Sequence, residues 1–168
     1  MTVKTSFGAV VDARTRLLVL GSLPGERSLA EAQYYAHPTN RFWELIGAVV
    51  DRDLRALAYP ERLVALGEAG VGLWDTVGSA RRAGSLDSAI RGSVANDLAG
   101  LVAILPLLRA VAFNGGTAAK IGRAQLAGST LAQIDLPSSS AANAGQSFAA
   151  KRDQWLELRA FLGAKPGC

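Results

Sequence analysis

Apolar positions along this chain fall into short continuous runs separated by stretches with helical spacing. Leu17-Leu18-Val19-Leu20-Gly21 is apolar throughout and ends in glycine, the pattern of a strand covered on both faces. Val71 to Trp74, Arg109 to Phe113 and Leu131 to Leu136, the last halted by Pro137, read as three further strands. Ser28-Leu-Ala-Glu31 fits a capping box that opens a short helix. Thr39 or Asn40 caps a second helix to about Val50, with Phe42, Leu45, Ile46 and Val49 on its apolar face. Pro60 starts another to about Glu68. Val94 to Leu105 has helical spacing up to Pro106, and Gly115-Gly116 leads into a helix to about Ala127. Ser147 caps a final helix that places Phe148, Trp155, Leu158 and Leu162 on one face. Gly163 to Cys168 reads as a frayed tail.

Strands therefore alternate with helices, with no repeat or linker between them. This predicts an α/β fold: a single domain over residues 1–168, with a four-stranded, mostly parallel sheet and helices on both faces. Such sheets bind ligands beyond the carboxyl ends of their strands. Three loops then matter: Ser22 to Asn40, Asp75 to Arg91, and Pro137 to Gln146.

Composition narrows the chemistry. Of 168 residues 49% are apolar and 19% charged, which suits one sizeable core. A net charge of +4 is compatible with DNA binding and insufficient to establish it. Cys168 is the single cysteine and His37 the single histidine, so a disulfide framework, a Cys-ligated cluster and a Cys- or His-rich metal site are excluded. Met1 to Val10 lacks an apolar signal core, and the apolar stretch Leu98 to Phe113 is interrupted by Pro106 and Arg109. The expectation is a cytoplasmic protein with no membrane span.

The first loop opens with Gly21-Ser-Leu-Pro-Gly25, neither a P-loop nor a dinucleotide fingerprint, but a tight turn that can expose backbone N–H groups. It continues as Tyr34-Tyr-Ala-His-Pro-Thr-Asn-Arg-Phe-Trp43. An aromatic ring there can stack on a nucleobase, and an Asn amide can donate to and accept from a base edge. The same residues also read as structural: Asn40 as a helix cap, Phe42 and Trp43 as core, His37 as a turn residue. The last loop, Leu136-Pro-Ser-Ser-Ser-Ala-Ala-Asn143, carries hydroxyls and amides suited to phosphate or a base, or is simply polar. Asp75, Asp87 and Glu26 are scattered and form no glycosidase-like carboxylate pair, and no Gly-x-Ser-x-Gly elbow is present.

Taken in order, these segments resemble the uracil-DNA glycosylase superfamily. Gly21-Ser-Leu-Pro-Gly25 is similar to its first motif, and Leu136-Pro-Ser-Ser-Ser-Ala-Ala-Asn143 to its second. His37-Pro-Thr-Asn-Arg-Phe-Trp43 resembles a segment shared with mismatch-specific uracil glycosylases. Tyr-Tyr-Ala-His-Pro at 34–38 and Gly70-Val-Gly-Leu-Trp-Asp75 followed by Gly84-Ser-Leu-Asp-Ser88 bring the resemblance nearest to the hypoxanthine-DNA (deoxyinosine) branch. Leu23 stands where mismatch-specific enzymes carry a catalytic Asn, and Ser138 stands where their second motif has Asn. Ala142, at about the position of their inserting Leu, is too small to wedge a base step.

The resemblance implies a monofunctional enzyme that flips a deaminated base out of DNA and hydrolyses its bond to C1′, leaving an abasic site. It assigns catalysis to Asn40. Base binding falls to Ser22, Leu23, Pro24, Gly25 and Tyr35, with Asn114 as a further pocket residue. DNA contacts fall to Ser138, Ser139, Ser140 and Asn143. It implies no cofactor and no metal, DNA holding deaminated bases as partner, and a monomer. Hypoxanthine is the expected base, with uracil or xanthine as alternatives. A catalytically inactive nucleic-acid-binding module and a hydrolase or transferase of small nucleotides are the readings from other classes.

Overall fold

The computed structural model describes residues 3–142 and 145–163. Asn143 and residues 164–168 of the expected tail lie outside the described residues. In chain order the elements are β1 (Val3–Thr5), β2 (Leu17–Gly21), α1 (Glu26–Glu31), α2 (Phe42–Val50), α3 (Tyr59–Ala69), β3 (Val71–Asp75) and β4 (Val77–Arg81). There follow β5 (Arg91–Ala95), α4 (Leu98–Ala103), β6 (Ala110–Asn114), α5 (Gly116–Gln125), β7 (Ala132–Leu136) and α6 (Phe148–Trp155), the last running on into a 3₁₀ turn.

The central sheet has the strand order β3-β2-β6-β7, all parallel. Strand β2 is buried throughout, and its successive residues serve opposite cores. Leu17 and Val19 pack with Val71, Leu73, Ala110 and Ala112 beneath the apolar faces of α2, α3 and α6. Leu18 and Leu20 pack with Val111 and Phe113 against Leu98, Ala118 and Leu126 on the other side. This two-faced burial is why the run carries no polar alternation, and it bears out the expected α/β architecture with helices on both faces. No helix among the described residues is long and apolar enough to cross a membrane.

Three expectations are corrected. A second sheet, of order β1-β4-β5 and antiparallel, occupies part of what reads as the Asp75–Arg91 loop and continues into Ala95. Every residue of β5 is exposed, so it lacks the period-two apolar signal of a half-buried strand. The expected helix from Val94 begins only at Leu98, where Asp97 caps it by accepting from Gly100 N–H at 3.0 Å; Asn96-Asp97 was the start signal inside that window. Ser28 does not cap α1: Gly25 occupies that position, and Ser28 is buried inside the helix, its Oγ accepting from Ala36 N–H at 3.0 Å. The hydroxyl thereby fastens the segment that carries Tyr35.

Candidate active site

The carboxyl ends of the parallel strands place Gly21 beside Asp75 and Asn114 beside Leu136. Above them lies a cavity of about 540 Å³. Ser22, Leu23, Pro24 and Gly25 form one wall, Tyr35 and Asn40 another, and Asn114 with Ser138, Ser139 and Ser140 a third. Every described residue singled out from sequence thus reaches one site, although the segments lie more than a hundred residues apart.

The turn after β2 is held from behind. Arg82, 1% exposed, donates from Nη1 to the Leu23 carbonyl at 3.3 Å, from Nη2 to the Pro24 carbonyl at 2.5 Å and from Nε to the Gly84 carbonyl at 2.9 Å. The Ser22 carbonyl also seats the start of β4, accepting from Val77 N–H at 2.9 Å, and the Asp75 carbonyl accepts from Asn96 Nδ2, just after β5, at 2.8 Å. Leu23 itself packs with Val77 and Ala80 while touching the cavity. Its aliphatic side chain offers a wall and no polar group.

Tyr35 adopts a left-handed backbone, φ 55°, unusual for a bulky residue and held here by its surroundings. Its ring stacks on Phe42 with centroids 3.8 Å apart and planes at 14°. Burial, assisted by the Asp75 charge, pushes its hydroxyl above the ordinary tyrosine range. Arg41, and not Thr39 or Asn40, holds the N-cap position of α2, but Asn40 Oδ1 accepts from Phe42 N–H at 2.9 Å and so supports the start of that helix from one residue further out. Its Nδ2 has no partner among the described residues, and Asn40 lines the cavity. His37 Nδ1 accepts from Thr39 N–H at 3.2 Å, the local turn contact that fits its structural reading.

Asn114 and Ser139 form a closed pair. Asn114 Nδ2 donates to Ser139 Oγ at 2.9 Å, and Ser139 N–H donates to Asn114 Oδ1 at 2.9 Å. Nδ2 also donates to the Tyr35 hydroxyl at 3.4 Å, which leaves one Oδ1 lone pair free for a ligand. Ser139 is 1% exposed and its hydroxyl and N–H are both engaged, so its geometry is that of a positioning residue rather than a phosphate contact. Ser138 and Ser140 remain at the accessible rim.

Sequence reasoning set Asp75 aside as a scattered carboxylate. It ends β3 on the cavity wall, 3% exposed, with Oδ2 unpartnered among the described residues. Burial, with the Asp87 charge adding to it and Arg82 opposing, pushes its carboxyl up to about 7. A neutral carboxyl both donates and accepts, as an amide does, and matches the N–H and C=O of a lactam edge. The available signal was position alone: a polar residue closing an apolar strand in such a sheet faces the ligand. Among the described residues no group of three or more His, Cys, Asp or Glu is arranged to hold a metal ion.

Comparison with known proteins agrees with this geometry. A family model described as the uracil DNA glycosylase superfamily matches residues 7–159. A Methanosarcina acetivorans protein named hypoxanthine DNA glycosylase is 40% identical over 141 residues, covering 84% of this chain and 89% of the relative. A Methanosarcina barkeri protein of the same name is 41% identical over 112 residues, covering 67% of this chain and 71% of the relative. A solution NMR structure from Methanosarcina acetivorans, carrying a provisional uracil DNA glycosylase name, superposes with a TM-score of 0.86 at 37% identity, over 96% of this chain and 99% of that one. The chain therefore belongs to the uracil DNA glycosylase superfamily.

Proposed function

We propose that this chain is a DNA glycosylase that removes hypoxanthine from deoxyinosine in DNA, acting as one catalytic domain over residues 1–168 and as a monomer. The observation that supports it most is the meeting of the Gly21–Gly25 turn, Tyr35, Asn40 and Asp75 in one strand-end cavity. The names of the two Methanosarcina relatives direct the choice of base to hypoxanthine.

In this reading the damaged nucleotide swings out of the helix, at least cost when its pairing is already weak. The purine enters the cavity, and Tyr35, backed by Phe42, offers its ring for stacking. Backbone N–H groups of Ser22 and Leu23 bond the base, with Pro24 and Gly25 shaping the turn. Asp75 accepts from N1–H and, while protonated, donates to O6. Asn114 supports Tyr35 and offers its remaining lone pair. Ser138, Ser140 and Asn143 take the flanking phosphates.

Water attacks C1′ and the C1′–N9 bond breaks, its electron pair passing to the purine. Water's oxygen becomes the new C1′ hydroxyl and its proton is released to the purine or to solvent. Donors preorganised toward the charge growing on the purine favour the transition state over the ground state. Asn40 Nδ2 is the donor for that charge or for the attacking water. Hydrolysis uses water as its second substrate and requires no cofactor.

The test is base release from labelled oligonucleotides holding one hypoxanthine, uracil or xanthine, followed by alkaline cleavage of abasic sites. Hypoxanthine release by wild type, largely lost in Asn40→Ala, is the expected outcome. Release of uracil or xanthine alone moves the substrate to another base. No release of any base, with salt-sensitive DNA binding intact, makes the protein a binding module instead.

A further inference from the structure

Opening a duplex requires something to occupy the space a flipped nucleotide leaves, and apolar side chains commonly do so. Ala142 in the second motif is too small for that task. Among the described residues six large apolar side chains stand exposed: Val3, Val64, Leu86, Val94, Ile104 and Leu107. Of these, Leu86 alone borders the cavity, and it is 57% exposed.

Its neighbours in the chain are tied down by hydrogen bonds. The residue before it, Ser85, accepts on Oγ from Glu26 N–H at 2.9 Å. The residue after it, Asp87, accepts on Oδ1 from Ser22 Oγ–H at 2.6 Å. Gly84, one residue further back, has its carbonyl taken by Lys4 Nζ at 2.7 Å and by Arg82 Nε at 2.9 Å. Ala89 N–H donates to the Leu86 carbonyl at 3.0 Å and closes the turn. Leu86 is thus pinned on both sides to the turn that lines the cavity, while its side chain is left in water. A solvated leucine gains nothing from such bracing unless another surface covers it.

The strands leading to and from this turn supply a second observation. Arg81 of β4 lies directly across from Arg91 of β5. Both are exposed, and neither pairs with a carboxylate among the described residues. Like charges facing each other across strands are unfavourable, and an anion between or beside them removes the penalty. Arg91 Nη1 donates to the carbonyls of Ser88 and Ile90 at 2.9 and 2.8 Å, which holds its guanidinium at the base of the turn.

We propose that the β4–β5 hairpin opens the duplex: Leu86 inserts into the base stack beside the flipped nucleotide, and Arg81 and Arg91 hold the backbone phosphates next to it. This rests on the DNA glycosylase reading and assigns a residue to the step for which the second motif has none. It also accounts for the fully exposed strand β5 that follows the turn bordering the cavity.

The test compares wild type, Leu86→Ala and Leu86→Phe by single-turnover release of hypoxanthine from duplex and from single-stranded DNA. Unstacking is read in parallel from the fluorescence of 2-aminopurine placed next to an abasic analogue in a duplex. Leu86→Ala is expected to lower the duplex-to-single-strand rate ratio by roughly tenfold or more, because only the duplex must be unstacked. It is also expected to lose most of the fluorescence rise, with Leu86→Phe restoring both. Arg81→Gln is expected to reduce the slope of log affinity against log salt by about one. An unchanged rate ratio in Leu86→Ala, or a fluorescence rise equal to wild type, overturns the proposal. A wild type that unstacks 2-aminopurine through Leu86 yet releases no base overturns the proposed activity and leaves the wedge standing.

Discussion

Gly21 and Asp75 sit so close that a Cβ on residue 21 would lie 2.7 Å from Asp75 Oδ1 and 3.0 Å from the Tyr35 hydroxyl. Glycine at this strand end is therefore what leaves room for the carboxyl and the phenol on the cavity wall. Gly21→Ala is expected to force both side chains aside. The cost is about 1–3 kcal/mol of stability, as for overpacking of a core position, with base release reduced at least tenfold. Urea denaturation and single-turnover base release measure the two effects. A fully active Gly21→Ala protein would remove Asp75 and Tyr35 from the base-binding wall.

Asp75 ties stability to pH in a definite direction. Its carboxyl titrates near 3.8 ordinarily and near 7 in the fold. The folded state then holds a proton that the unfolded state has lost across that interval, so stability falls as pH rises between those values and levels off above about 7. Asp75→Asn removes the titration. The variant's stability relative to wild type should climb with pH across this window, at up to about 1.4 kcal/mol per pH unit. Urea melts at several pH values test it. A constant difference between the two proteins would show that Asp75 titrates normally.

The same residue predicts an activity profile. If the neutral carboxyl reads the lactam edge, wild-type kcat/KM for hypoxanthine release falls as pH rises through about 7. An amide has the same donor and acceptor without the titration, so Asp75→Asn should retain activity and lose the alkaline decline. An identical alkaline limb in both proteins would assign that titration to another group.

Arg82 donates to three carbonyls that bracket the first turn and the β4–β5 turn. Arg82→Ala strands the buried Leu23 and Pro24 carbonyls, whereas the Gly84 carbonyl keeps Lys4 Nζ, at a cost on the order of 2–4 kcal/mol. It should also loosen the turn proposed to bind the base, raising KM more than it lowers kcat. Arg82→Lys restores one donor and is expected to recover part of the stability. Thermal melts and steady-state kinetics separate the two contributions, and a stable, fully active Arg82→Ala protein would overturn the assignment.

The legible parts of this molecule were those with local signatures. Leu17–Gly21 announced a doubly covered strand, and the helix from residue 42 announced its apolar face. The segments around residues 21–25, 34–43 and 136–142 all contribute residues to one cavity. What escaped has its meaning only in three dimensions. Strand β5 is exposed at every residue and bonded to one neighbour, so nothing in its composition marked it. Asp75 looked like any acidic residue until Gly21, Tyr35 and the apolar strand around it removed its water. Ser139 looked like one of three equivalent serines, but Asn114 takes both its hydroxyl and its N–H.

Asn40 allows structural and chemical roles to be separated within one side chain. Its Oδ1 accepts from Phe42 N–H at the start of α2, whereas its Nδ2 is without a partner among the described residues of a side chain that lines the cavity. Asn40→Ala deletes both, and losing a side-chain bond to an N–H at a helix start costs about 1 kcal/mol. Asn40→Asp keeps an oxygen for Phe42 N–H and replaces the amide donor with a second acceptor. Its stability should match wild type within about 0.5 kcal/mol. A carboxylate in that place repels the charge that grows on the departing purine, so base release should fall at least as far as in Asn40→Ala. Stability from urea melts, set against single-turnover release for the two variants, decides the matter. A stable Asn40→Asp protein with wild-type activity would leave Asn40 as a support for the start of α2 and move catalysis elsewhere in the cavity.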